Sequence, residues 1–170
     1  MEKGRIVFLN GVTSAGKTSI AEAIQERDDM FFYVVSNDLF QKMIGAKHLR
    51  ENYWKYLGEA ILMMYHTAKM LSDMGKNVLI DGMLMEIEGI TPHYQQMLEI
   101  FKDNPFDLIE VYCPLELCRK RNIIRGDRYE KQSDEQYELM AKNIKYAFRV
   151  DTASNSSIEC ADMIVKKLFN

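Results

Sequence analysis

The sequence predicts an α/β protein built on a parallel sheet with helices on both faces, and three observations carry that prediction. Apolar runs of strand length alternate along the chain with longer helical patterns. The strand-length runs show little alternation, as strands buried on both faces do. The first of them leads straight into Gly11-Val12-Thr13-Ser14-Ala15-Gly16-Lys17-Thr18. Two glycines enclosing four residues, then Lys-Thr, match the GxxxxGK[ST] pattern of a phosphate loop between a strand and a helix. The fold expected is therefore that of a P-loop nucleoside triphosphatase.

Taken in order, "RIVFLN" (5–10) is the first strand, and the helix after the loop covers 17–27 with "SIAEAI" as its apolar face. "FFYVV" (31–35) is the second strand. The clearest helix is 51–74, where Leu57, Ile61, Met64, Ala68 and Leu71 recur at spacings of four and three. "NVLID" (77–81) is the third strand, followed by a helix over 91–102. "FDLIEVYC" (106–113) is the fourth strand, followed by helices over 115–124 and 132–146. "FRVD" (148–151) is the fifth strand, and a helix over 156–168 ends the pattern. The alternation gives only a parallel sheet. The strand order 2-3-1-4-5 is what a P-loop kinase implies.

No repeat, low-complexity tract or Pro/Gly-rich linker interrupts the 170 residues, so residues 1–170 are expected to form one domain. Hydrophobic residues make up 47% and charged residues 28%, with a net charge of -3 and a pI of about 5.7. That balance points away from nucleic-acid and membrane partners. The longest apolar stretches, such as "AILMMY" (60–65), are too short to span a bilayer. The chain opens into "GRIVFLNG", which reads as a buried strand and not as a signal peptide. Cys113, Cys118 and Cys160 form no CxxC pair and read as the reduced thiols of a cytoplasmic protein. His48, His66 and His93 lack HExxH spacing, so no zinc site is suggested. Nothing in the sequence indicates an oligomeric state.

Each residue of the loop has a physical reason. Gly11 and Gly16 are expected to adopt positive φ and to let the backbone approach an anion closely. The N–H groups of residues 11–19, Ser19 included, would converge as a nest at the positive end of the next helix. Lys17 can reach the β- and γ-phosphates of ATP, or of GTP, and the Thr18 hydroxyl is placed to ligate Mg²⁺.

The chain lacks the Asn-Lys-x-Asp of a GTPase and is short for a motor ATPase. A small-molecule kinase needs an acceptor-side base, a metal-organising acid and a cationic lid. Asp38 in "VVSNDLF" stands after the second strand, where an acid would meet the acceptor hydroxyl; the other reading is that Ser36, Asn37 or Asp38 caps a helix. Asp81, closing "NVLID", would hold a water of the Mg²⁺ shell, or form an Asp-Gly turn. "CRKRNIIRGDR" carries Arg119, Lys120, Arg121, Arg125 and Arg128. It forms a lid over about 119–132 that clamps phosphate, with Arg121 toward the nucleotide, or else a solvated basic face balanced by Asp127 and Glu130. Gly126 is expected to end the helix there.

Nearly end to end, the chain resembles the chloramphenicol phosphotransferase family of P-loop kinases. The likeness lies in "LNGVTSAGKTSI", the acid of "VVSNDLF", "VLIDG", "RGDR" and "VDTASNSSIECADMI". The resemblance implies transfer of the γ-phosphate of ATP to a hydroxyl of a small acceptor. Asp38 takes the place of the family's base, and Arg125 and Arg128 the place of its lid arginines. The stretch between Asp38 and the long helix is shorter and less glycine-rich than in the antibiotic-modifying member, and "IDG" replaces a paired "IDD". The reaction class therefore carries over better than the substrate. Met43, His48, Tyr53, Trp54 and Tyr56 are the acceptor-pocket candidates, unless they are core. A nucleoside, sugar or toxin-type nucleotide-sugar kinase would share these parts, as would a nucleotide-binding regulator with little turnover.

Overall fold

A computed structural model describes residues 2–169. Its five strands are β1 (Ile6–Asn10), β2 (Tyr33–Ser36), β3 (Val78–Gly82), β4 (Phe106–Tyr112) and β5 (Phe148–Asp151). They form one parallel sheet in the order β2-β3-β1-β4-β5, as the kinase class implies. The helices are α1 (Lys17–Gln25), α2 (Asn37–Gln41), α3 (Ala46–Glu51), α4 (Tyr53–Asp73), α5 (Tyr94–Phe101), α6 (Leu115–Arg125), α7 (Gln132–Leu139) and α8 (Ser157–Phe169).

All five residues of β1 are buried, because β3 and β4 flank it and helices cover both faces. This is why "RIVFLN" carries no polar alternation. The predicted stripe of the long helix is its buried face: Leu57, Ile61, Met64 and Ala68 are covered, and Tyr65 sets its ring 6.2 Å from Phe8 and 5.8 Å from Phe101. Since every strand is parallel, Asn10, Ser36, Gly82, Tyr112 and Asp151 all end at one edge of the sheet. Ligands of open α/β sheets bind at that edge.

Several elements differ from expectation for identifiable reasons. The second strand begins at Tyr33, with Phe32 instead turned into the core edge-on to the Phe169 ring. The helix expected over 91–102 starts at Tyr94, because His93 takes extended backbone as its N-cap. The helix expected over 132–146 stops at Leu139, because Met140 turns to extended backbone and bridges Met85 in antiparallel sense. Two short helices, α2 and α3, occupy the stretch before α4 that the sequence pattern left unassigned; Asn52 then caps α4 by accepting from Lys55 N at 3.3 Å.

The two loop glycines serve different ends. Gly16 has φ 104 and takes the left-handed turn into α1. Gly11 does not have positive φ, contrary to expectation: a Cβ there would lie 2.6 Å from the carbonyl oxygen of Val111, so close packing on β4 requires it. The second left-handed residue of the loop is Ser14, with φ 59. Among the described residues no helix is long and apolar enough to cross a membrane.

Candidate active site

A cavity of about 1050 Å³ opens at the carboxyl edge of the sheet. Thr13, Ser14, Gly16, Lys17, Thr18 and Ser19 line it. Gly11, Val12 and Ala15 lie behind the wall, buried. The phosphate loop thus shows the cavity Thr13, Ser14 and the residues from Gly16 on, and packs Gly11, Val12 and Ala15 into the core.

Lys17 Nζ folds back and donates to Val12 O at 2.9 Å. Burial holds its ammonium below the ordinary lysine value, while the carboxylates of Asp81 and Asp38 pull in the opposite direction. Thr18 Oγ1 donates to Asp81 Oδ2 at 2.7 Å. The two residues expected to organise a metal therefore meet, across α1 and the end of β3. Among the described residues no cluster of three His, Cys, Asp or Glu forms a cage of its own. One hydroxyl and one carboxylate suit a Mg²⁺ that takes its other ligands from phosphate and water.

Asp38 is the second residue of α2. Ser36 caps that helix, its Oγ accepting from Leu39 N at 3.1 Å, so the capping reading of this acid falls away. The Asp38 carboxylate is exposed to the cavity and accepts from Arg128 Nη2 at 3.4 Å. In the basic segment Gly126 ends α6 with φ 73, as expected. Arg125 also faces the cavity, held by Asp127 at 3.2 Å. Arg119 pairs with Asp134 of α7 and lies outside the lining.

Arg121 differs from the role expected of it. Its Nη1 donates to Ser14 O at 3.3 Å and Thr152 Oγ1 at 3.0 Å, and its Nη2 to Thr152 O at 2.8 Å. Through these bonds it braces the phosphate loop against the turn after β5, and it also lines the cavity. The same group lies 3.4 Å from Cys113 Sγ. Hydrogen bonding from Cys118, with the Arg121 charge, holds the Cys113 thiol below the ordinary cysteine value.

Several positioning residues carried no motif. Asn10, fully buried at the end of β1, accepts from Leu84 N at 2.8 Å and donates to Tyr146 Oη at 2.7 Å. It pins the segments after β3 and before β5 to the central strand. Asn122 donates to Ser133 Oγ at 2.9 Å, Ser133 donates to Thr13 O at 3.1 Å, and Gln136 accepts from Thr13 N at 2.6 Å. The base of the basic segment is thereby fastened to the phosphate loop, while Gly126, Asp127, Tyr129 and Glu130 stay exposed.

Of the five acceptor-pocket candidates, Tyr53 and Trp54 line the cavity; Met43, His48 and Tyr56 do not. Met43 points to solvent, and His48 sets its ring 5.8 Å from that of Tyr56. Met83, Met85 and Leu139 line the same cavity. The Met85–Met140 bridge brings them together, and no sequence spacing announces it.

Sheet order, a phosphate loop at the β1–α1 junction and an arginine-bearing helix after β4 together define a P-loop kinase fold. The chain belongs to the chloramphenicol phosphotransferase-like protein family, whose model matches residues 4–169. A relative from Mycobacterium tuberculosis named "Putative O-phosphotransferase" is 23% identical over 185 residues, covering 95% of this chain and 80% of its own length. Among solved structures, the Mycobacterium tuberculosis APS kinase CysC in complex with AMPPNP and APS superposes with a TM-score of 0.73 at 18% identity, covering 100% of both chains. A gluconokinase from Sinorhizobium meliloti superposes with a TM-score of 0.65 at 14% identity, covering 98% of this chain and 92% of its own. At such identities the structural likeness speaks for the fold.

Proposed function

We propose that the protein is a small-molecule kinase that transfers the γ-phosphate of ATP to a hydroxyl of a small acceptor. The observation that carries this reading is the Asp38–Arg128 contact, 3.4 Å across the same cavity that Lys17 and Thr18 face. A base candidate, an arginine from the segment after α6 and a phosphate loop that share one cavity are the parts phosphoryl transfer requires.

In this reading Lys17 swings from Val12 O to the β- and γ-phosphates. Thr18 and, through a water, Asp81 would hold Mg²⁺, which would neutralise phosphate charge when bound. Asp38 exchanges its contact with Arg128 for the acceptor hydroxyl, orients it and receives its proton late in a loose transition state. Arg128, so released, and Arg125 meet the charge that develops on the transferring group. Residues 126–131 close over the phosphates and keep water from acting as acceptor. The acceptor itself meets a lining that holds Trp54, Leu57, Met83, Met85 and Leu139 together with Asp38, Gln41 and Tyr53. That wall suits a compact molecule with an apolar body and a hydroxyl. Chloramphenicol is one acceptor to try, together with nucleosides and sugars.

The test is ADP release from Mg·ATP over a panel of hydroxylated acceptors, with the phosphorylated product identified. Stoichiometric acceptor-dependent ADP and phosphoester formation is expected from at least one member. ATP binding with no acceptor-dependent turnover across the panel would favour a nucleotide-binding regulator.

A further inference from the structure

Five cationic side chains line the cavity, and four of them have partners in the protein. Lys17 donates to Val12 O, Arg121 to Thr152 O, Arg125 to Asp127 and Arg128 to Asp38. In the reading above, Lys17, Arg125 and Arg128 serve the phosphates and Arg121 braces the loop. Lys42 is the fifth. Its side chain is exposed to the cavity, and among the described residues it has no ion pair and no hydrogen-bond acceptor. The carboxylates that line the cavity are taken by other donors. Asp81 accepts from Thr18, Glu135 from the Tyr129 hydroxyl and Asp38 from Arg128.

The helix sets where Lys42 stands relative to Asp38. Lys42 is the C-cap of α2, still in helical backbone with φ -65 and ψ -16, and its N–H donates to Asp38 O at 3.1 Å. Residues four apart share one helix face, with about 5–6 Å between their Cβ atoms. An Asp and a Lys at this spacing ordinarily pair with each other. Here Arg128 holds the carboxylate, and Asp38 and Lys42 both line the cavity. The chain around them is cationic as well. Residues 39–56 carry Lys42, Lys47, Arg50 and Lys55 against a single acid, Glu51, although the whole chain has a net charge of -3. Glu51 lies 3.9 Å from Lys47 and 3.6 Å from His48, and among the described residues no carboxylate pairs with Arg50. A local excess of positive charge draws anions toward this end of the molecule.

We propose that the acceptor is an anion: besides the hydroxyl that meets Asp38, it carries a carboxylate or phosphate group, one helical turn away, that binds Lys42. The inference rests on the kinase reading and narrows its substrate class. The spacing keeps the acceptor's charge clear of the Asp38 carboxylate, which would repel it, and brings it to an ammonium, a point charge that suits either oxyanion. Hydroxy acids, sugar phosphates and nucleoside monophosphates therefore come before neutral sugars and nucleosides as acceptors.

The experiment is ADP release from Mg·ATP with acceptors in matched pairs. Hydroxy acids are set beside their amides, which tests for a carboxylate. Sugar phosphates and nucleoside monophosphates are set beside the unphosphorylated compounds, which tests for a phosphate. In at least one pair the wild type should use the anionic member with a KM about five- to tenfold below that of its neutral partner. Lys42→Met should raise that KM by about the same factor, with kcat within about twofold, and leave the KM of the neutral partner unchanged. Lys42→Arg should restore the preference. Neutral members used as well as anionic ones in every pair would overturn the inference and leave the kinase reading standing. An equal loss for both members of a pair in Lys42→Met would also overturn it, making the side chain a support for Asp38 and not a contact of the acceptor. Turnover of no member by a wild type that still binds an ATP analogue would remove the kinase reading, and the inference with it.

Discussion

The nucleotide end and the acceptor end of the cavity are built in opposite ways. At the nucleotide end, a fully buried strand delivers the loop, and the loop's form is dictated by backbone: a carbonyl against Gly11, a left-handed turn at Gly16, and Thr13 held at both its N–H and its C=O. At the acceptor end, α2 and α3 have five and six residues, and α3 buries none of them. Asp38, Gln41, Lys42, Tyr53 and Trp54 project from these short elements or from the start of α4. A surface carried by short, exposed helices tolerates substitution without loss of the core. On the proposed reading, the rigid end would hold what phosphoryl transfers share and the plastic end what differs between substrates.

The sharpest way to break this division is at the rigid end. Lys17→Ala should lower acceptor-dependent turnover by about 10³-fold, the worth of a preorganised charge in a water-poor site. Its circular dichroism and urea midpoint should match wild type, because the side chain leans on the cavity and not on the core. Turnover near the wild-type rate would show that phosphate is handled elsewhere.

Arg128→Ala should lower turnover by about 10²-fold while ATP affinity stays within about threefold, since the group meets charge that develops in transfer. A fall in affinity matched by no fall in rate would make Arg128 a ground-state phosphate ligand. The related expectation is that amide exchange in 126–131 slows on adding an ATP analogue with acceptor, whereas 119–125, fastened through Asn122 and Ser133, changes little.

Asn10→Ala tests the frame between the two ends. It would leave Leu84 N–H and the Tyr146 hydroxyl without partners in the interior, at a cost of about 2–4 kcal/mol. Urea unfolding measures this directly. A loss below about 0.5 kcal/mol would mean that the segments after β3 and before β5 hold themselves in place.

The smallest effect is expected at the metal. Thr18→Ala should raise the Mg²⁺ concentration needed for half-maximal turnover by about 10-fold, with the maximal rate less affected. A Mg²⁺ titration at saturating ATP decides it.

The same division governs what could be read from the sequence. "RIVFLN" and "GVTSAGKT" announce their structure because burial on two faces and the geometry of an anion nest each demand particular residue types. The stripe Leu57, Ile61, Met64, Ala68 was legible for the same reason. The helix end at Leu139 was not, because a single long-range bridge between Met85 and Met140 overrides a pattern that could have continued. Asn10, Asn122 and Ser133 were silent: a buried amide or hydroxyl declares its role only when its partners, far off in sequence, are in place. Arg121 was legible as a cation near the nucleotide but not as a brace, since that depends on Thr152 arriving from β5. Tyr53 and Trp54 could not be separated from Met43, His48 and Tyr56 because aromatic residues at helical spacing suit a core and a pocket alike.

The most direct test of the central claim is Asp38→Asn, read by two measurements on the same protein: affinity for an ATP analogue with Mg²⁺, and acceptor-dependent ADP release. Asp38 bonds Arg128 and lines the cavity, and it makes no hydrogen bond to the phosphate loop. Affinity within about twofold of wild type, with transfer lowered by about 10²–10⁴, is the expected pair of results. Unchanged transfer would reduce Asp38 to a partner of Arg128, and loss of nucleotide binding together with transfer would place it in the metal site, leaving the kinase reading without its acceptor side.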